Sequence, residues 1–126
     1  MPSHVHLIIG SDIKPLEDIV RDMKRHTSER MHEVIKKHPK ESRKEWMIPM
    51  FEKAGISNSN NIKWQFWQQN NKPILLQNQE MTLRALNYLH NNPVVSGFVE
   101  EPQHWLYSSA LDYCGRKGLL DVRLLL

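Results

Sequence analysis

His4-Val5-His6-Leu7-Ile8-Ile9-Gly10 is the stretch whose reading decides the fold. Val5 to Ile9 reads as a strand, with Pro2 before it and Gly10 after it. The run is apolar at nearly every position, which predicts a central strand covered on both faces. His4 and His6 flank one apolar residue, and side chains at i and i+2 of a strand point to the same face. Two imidazoles side by side on a rigid segment can hold one divalent cation. The same pair also reads as two half-exposed polar residues of an ordinary strand.

Downstream of this segment, Pro15 to about Lys37 predicts a long helix. Leu16, Ile19, Val20, Met23, Thr27, Met31, Val34 and Ile35 recur at steps of three and four and form one stripe. Pro15 suits the first helical position, and Pro39 ends the helix. Glu41 to Ala54 predicts a shorter helix, interrupted or kinked at Pro49 and stopped at Gly55. A polar loop follows over Ser57 to Asn61. Trp64 to Trp67 and Ile74 to Leu76 read as two short strands joined by the turn-rich Gln69-Asn70-Asn71-Lys72-Pro73. Asn78 is placed to cap a helix from Gln79 to about Asn91, closed by Pro93. Ser108 to Tyr113 suggests a last helical turn.

The chain has 126 residues, which suits a single domain. Its 40% hydrophobic and 25% charged composition is that of an ordinary globular protein. Cys114 is the only cysteine, which excludes an internal disulfide and fits a reducing cytoplasm. The apolar runs are too short to span a bilayer, and no charged-then-apolar leader precedes them. The net charge is +3. Between Lys14 and Lys44 stand ten Lys/Arg against six Asp/Glu, out of 17 and 14 in the whole chain. Such a concentration suits a polyanionic partner or a solvated helix face. Arg21, Lys24 and Arg25 share a face distinct from the apolar stripe.

Tyr88 and Asn92 are four residues apart near the end of a predicted helix, hence on one face. A tyrosine hydroxyl ordinarily has a pKa of about 10 and is almost wholly protonated at neutral pH. A nearby metal is one way to make it a nucleophile, and the metal can also polarise a phosphodiester. Asn92 offers an amide oxygen beside the two imidazoles. A tyrosine on a helix also packs simply as a rim residue. Trp64, Gln65, Phe66, Trp67 and Gln68 form an aromatic and amide-rich stretch on which bases can stack, although at least one of the two tryptophans suits a core.

Taken together these residues resemble a known family. Met1-Pro2-Ser3-His4-Val5-His6-Leu7-Ile8-Ile9 resembles the HUH motif, two histidines around a hydrophobe, of the REP-associated tyrosine transposases. Leu86-Asn87-Tyr88-Leu89-His90-Asn91-Asn92-Pro93-Val94 resembles the nucleophile helix of that family. Phe66-Trp67-Gln68-Gln69-Asn70 and Trp105-Leu106-Tyr107-Ser108-Ser109-Ala110 match family segments as well, so the resemblance covers nearly the whole chain. It implies an α/β (α+β) fold, an HUH-type antiparallel sheet with helices packed on it. Residues 1–92 would form the catalytic core and 93–126 a C-terminal extension of one domain. The family places a strand and a helix ahead of this motif, where Met1 stands here. The expectation is therefore a sheet lacking its first strand and helix, with an open edge able to take a second chain.

The resemblance further implies that His4, His6 and Asn92 coordinate Mg²⁺ or Mn²⁺. Tyr88 would attack single-stranded DNA at hairpin repeats, leaving a 5′-phosphotyrosine link and a free 3′-OH. Arg21, Lys24, Arg25, Trp64, Gln65, Trp67 and Gln68 are the expected DNA contacts. The implied activity is that of a metal-dependent endonuclease and strand transferase in DNA transposition. Two alternatives remain open at this point. One is a catalytically inactive relative that grips hairpin DNA. The other is an unrelated helical protein whose histidine pair is structural.

Overall fold

The computed structural model describes residues 3–59 and 63–125. Among these residues are the helices α1 (Leu16–Lys37), α2 (Lys44–Ile56), α3 (Gln79–Val95) and α4 (Ala110–Tyr113), a 3-10 turn at Pro102–His104, and no strand. None of these helices is long and apolar enough to cross a membrane.

The expected α/β fold with an HUH-type antiparallel sheet is thus overturned: the described chain is helical. The three segments read as strands, residues 4–9, 64–67 and 74–76, have no regular secondary structure. A strand forms only when a second one supplies the facing N–H and C=O groups, and among the described residues no such pair of segments exists. The Trp64–Trp67 stretch bonds to helices instead, with Gln65 N donating to the Phe51 carbonyl of α2 at 2.8 Å. Val5 and Leu7 are 59% and 54% exposed, so the first segment is not a covered central strand. The open sheet edge expected to recruit a second chain disappears with the sheet. Apolar alternation reports a preference for burial and leaves the pairing partner unspecified.

The chain divides into two compact units, Gly10–Pro73 and the described parts of Met1–Ile9 with Ile74–Leu126. Within Gly10–Pro73, Pro15 takes the N-cap position of α1, one residue before the expected first helical position, and its carbonyl accepts from Asp18 N and Ile19 N. Glu17 and Asp18 in the first turn and Lys36 and Lys37 in the last turn agree with the helix dipole. The predicted stripe is only partly covered. Ile35 is buried, whereas Met23, Met31 and Val34 stay exposed. The covered face is instead more polar. Trp64 Nε1 donates to Ser28 Oγ at 3.2 Å while its ring stacks on His32 at 4.1 Å. Trp67 Nε1 donates to Thr27 Oγ1 at 2.8 Å.

α2 begins three residues later than expected. Ahead of it, the Glu41 carboxylate accepts from Arg43 Nε and Nη2, both at 2.9 Å, and from Arg43 N at 3.0 Å. The helix carries Pro49 inside it and runs past Gly55 to Ile56. Gly55 is a point of close approach rather than a stop, because a Cβ there would run into the Trp64 backbone. Of the expected loop at Ser57–Asn61, Asn60 and Asn61 lie outside the described residues.

In the other unit, Asn78 caps α3 as expected, its side chain accepting from Met81 N at 2.9 Å. Pro93 does not close α3, which continues to Val95. Proline removes one donor, which here leaves only the Leu89 carbonyl without its helical bond. Ser96 N still reaches Asn92 O at 3.1 Å. The actual stop is Gly97, whose φ of +74° suits a residue without Cβ. Phe98 N bonds Pro93 O and Gly97 N bonds Val94 O, both at 2.9 Å, a paired arrangement that satisfies the last carbonyls. Gly115 ends α4 in the same way. Leu86, His90 and Pro93 form the buried stripe of α3, and Ala110 and Leu111 are the buried residues of α4.

Candidate metal and tyrosine site

His4 and His6 stand side by side without a sheet. Their ring centroids are 4.8 Å apart and nearly perpendicular. The spacing argument therefore survives the loss of the strand, because an extended segment alone keeps i and i+2 on one side. Ser3 Oγ lies 3.2 Å from His4 Nδ1, so of the two ring nitrogens Nε2 is the one that could ligate a cation.

His6 is the junction of the site. Its ring meets Tyr88 edge-on, with centroids 5.3 Å apart, and its Nε2 lies 3.4 Å from Asn92 Nδ2. All four residues read from the sequence as a metal and tyrosine site are therefore gathered in one unit, although His6 and Asn92 are 86 positions apart. One helical turn of α3 separates Tyr88 from Asn92, so both face the same way. Tyr88 is 62% exposed.

Burial, reinforced by the neighbouring His4, lowers the pKa of His6 below the ordinary imidazole value. That favours the neutral ring with a lone pair, the form that binds metals. The Asn92 amide now donates toward that lone pair. Turned by half a revolution, it would present Oδ1 to the same space, an exchange that costs little for a nearly symmetric group. Adjacent ligands of an octahedral ion at about 2.1 Å lie about 3 Å apart, close to the 3.4 Å between His6 and Asn92. Among the described residues no three His, Cys, Asp or Glu side chains group as a metal site. The donors here are two imidazoles and one amide, all neutral. Such a set would leave a divalent ion with open positions and with its charge unbalanced by the protein.

A cavity of about 190 Å³ opens at the histidines, with Trp105, Tyr107 and Ser108 also in its lining. Leu89 and Pro93 supply apolar lining from α3. Sequence reasoning assigned none of these a role at the site. The available signal was the run of aromatic and hydroxyl residues in the loop after Pro102. His90, between Tyr88 and Asn92, is buried, and its Nε2 lies 2.9 Å from Ser109 Oγ. Burial lowers its pKa.

The expected DNA contacts all lie in Gly10–Pro73. Arg21 pairs with Asp18 at 2.5 Å and Arg25 with Asp22 at 3.2 Å. Lys24 donates to the Gln68 carbonyl at 2.8 Å. Trp64 and Trp67 are half-buried and tied to α1, as described above, and Gln65 accepts from Asn58 Nδ2 at 2.9 Å. Gln68 has an exposed side chain. The two indoles thus pack against their own helix, and the arginines sit in exposed ion pairs that phosphate can replace at little cost.

No protein-family model matches the chain, and neither a curated protein nor a solved structure matches it.

Proposed function

We propose that this protein cleaves and rejoins single-stranded DNA through Tyr88, with His4, His6 and Asn92 holding a divalent cation, Mg²⁺ or Mn²⁺. The observation that carries this reading is the meeting of His6 with both Tyr88 and Asn92 across 86 positions of sequence.

In the proposed reaction the Tyr88 Oη–H loses its proton to solvent and the oxygen bonds to a backbone phosphorus. The P–O3′ bond breaks, and the departing 3′ oxygen takes up a proton. The products are a 5′-phosphotyrosine and a free 3′-OH. Attack of a 3′-OH on the phosphotyrosine reverses the chemistry and joins strands. A bound divalent ion would polarise the phosphodiester and balance the charge developing on its oxygens. His6 and Asn92 fix the position of the phosphate relative to α3, and α3 carries the nucleophile. The REP-associated tyrosine transposases, which the motifs resemble, use hairpin DNA, and that is the substrate class proposed here. The basic face of α1 would contact its backbone, and a reducing cytoplasm suits the single thiol.

Incubation of the chain with a labelled hairpin bearing a single-stranded flank, plus Mn²⁺, is expected to give a covalent protein–DNA adduct on a denaturing gel. Tyr88→Phe should give none. Adduct formed equally well by Tyr88→Phe would remove Tyr88 from the role. Salt-sensitive binding without any adduct would instead identify a DNA-binding module.

A further inference from the structure

The geometry points to a nucleobase-stacking subsite on Tyr107, in the lining of the cavity that His4 and His6 share. This inference rests on the strand-transferase reading and names the part of the DNA that the aromatic lining takes.

The cavity lining combines two kinds of chemistry. His4, His6 and Asn92 bring nitrogen and oxygen donors, whereas Trp105, Tyr107 and Ser108 bring two aromatic rings and a hydroxyl. Tyr107 is 76% exposed. It is nevertheless braced, because its ring meets Trp105 edge-on at 6.1 Å and Trp105 leans on Phe98 at 5.7 Å. An exposed ring held from behind is a stacking platform, since little side-chain freedom is left to lose on binding. Ser108 Oγ accepts from Ala110 N at 3.1 Å, so its own hydrogen remains to be donated.

The loop is also fixed to the helix of the nucleophile. Ser109, next to Ser108, meets buried His90 of α3 at 2.9 Å, and His90 lies between Tyr88 and Asn92 on that helix. The loop and the reacting tyrosine therefore keep a set separation. A phosphate at the histidines carries its nucleotide's base with it, and the aromatic lining is where that base would go. At about 190 Å³ the cavity is smaller than the roughly 300 Å³ or more of drug-sized pockets. It suits one flat ring system, not a base pair, which selects an unpaired nucleotide. Stacking accepts any base, because every base has a π face.

The test is fluorescence anisotropy on labelled single-stranded oligonucleotides without added metal, with one abasic position moved stepwise through the sequence. The full chain, Tyr107→Ala and Tyr107→Trp are compared. Tyr107→Ala is expected to bind the intact oligonucleotide about 5- to 100-fold more weakly. The affinity lost by the parent at one abasic position should vanish in Tyr107→Ala and persist in Tyr107→Trp. Equal affinity of Tyr107→Ala and parent overturns the subsite, as does an abasic penalty unchanged by Tyr107→Ala. Both can occur with adduct formation through Tyr88 intact, which separates failure of the subsite from failure of the reaction. A parent chain that binds no oligonucleotide overturns both.

Discussion

Asn92 Nδ2 lies 3.4 Å from His6 Nε2, so a residue of α3 and an imidazole near the start of the chain point at one small volume. If that volume holds a divalent ion, removing either donor must weaken it. Asn92→Ala and His6→Ala are each expected to reduce Mn²⁺ affinity at least about tenfold, since losing even a supporting partner of a ligand costs that much. Titration of Mn²⁺ by its electron spin resonance signal reads this directly. Unaltered affinity in both variants would place the ion elsewhere.

The neutral donor set predicts that the metal and DNA help each other to bind. Adding a single-stranded oligonucleotide should tighten Mn²⁺ binding, and Mn²⁺ should tighten DNA binding by the same factor, as linkage requires. The two titrations are run with Tyr88→Phe so that no adduct forms. Mn²⁺ and DNA affinities that leave one another unchanged would mean that the metal and the DNA do not meet at one site.

Gly55 gives a stability prediction in the other unit. A methyl group there meets the Trp64 backbone, which cannot move aside as a flexible side chain would. Gly55→Ala should therefore destabilise the chain by about 1–3 kcal/mol, despite the better helix propensity of alanine. Urea unfolding should show a lower midpoint with an unchanged slope. A rise in stability would show that Trp64 does not press on α2.

Glu41 supplies a pH dependence. Hydrogen bonds from the Arg43 side chain, then from its backbone N–H, hold the Glu41 carboxyl down at about 2 from an ordinary 4.5. A carboxyl lowered on folding contributes stability that is fully present above its unfolded pKa and is lost as pH falls through the folded one. Glu41→Gln should thus be less stable than the parent at pH 7, with the gap closing between about pH 4.5 and 2. Urea midpoints of both proteins across that range test it. A gap that stays constant with pH would mean the carboxylate charge contributes nothing.

The long helices were legible because they carry local signals. The side chain of Asn78 caps α3 where the sequence placed it, and α1 differs from its expected start by one residue. The stop of α3 was misread at Pro93 because proline costs one hydrogen bond there, whereas the turn at Gly97, about one helical turn later, closes two. The sheet was misread for a deeper reason. Val5-His6-Leu7-Ile8-Ile9 has strand-like composition, but pairing depends on a second segment, and the best apolar candidate, Trp64–Trp67, is anchored on α1 through its indole N–H groups. Of the site, His4, His6, Tyr88 and Asn92 were readable from spacing and resemblance. Tyr107 and Ser108 were not, since only the folded loop brings them to the histidines.

Residues 4–9 make no backbone hydrogen bond to another segment among the described residues. A cation shared by His6 and Asn92 would then be a cross-link, closing a loop of 86 residues much as a covalent bridge does. Its binding would add to the folding stability of this unit with the logarithm of its concentration relative to the dissociation constant. The ion would serve as a fastener as well as a reagent. Withdrawing it with a chelator would loosen the start of the chain before it touched the helices.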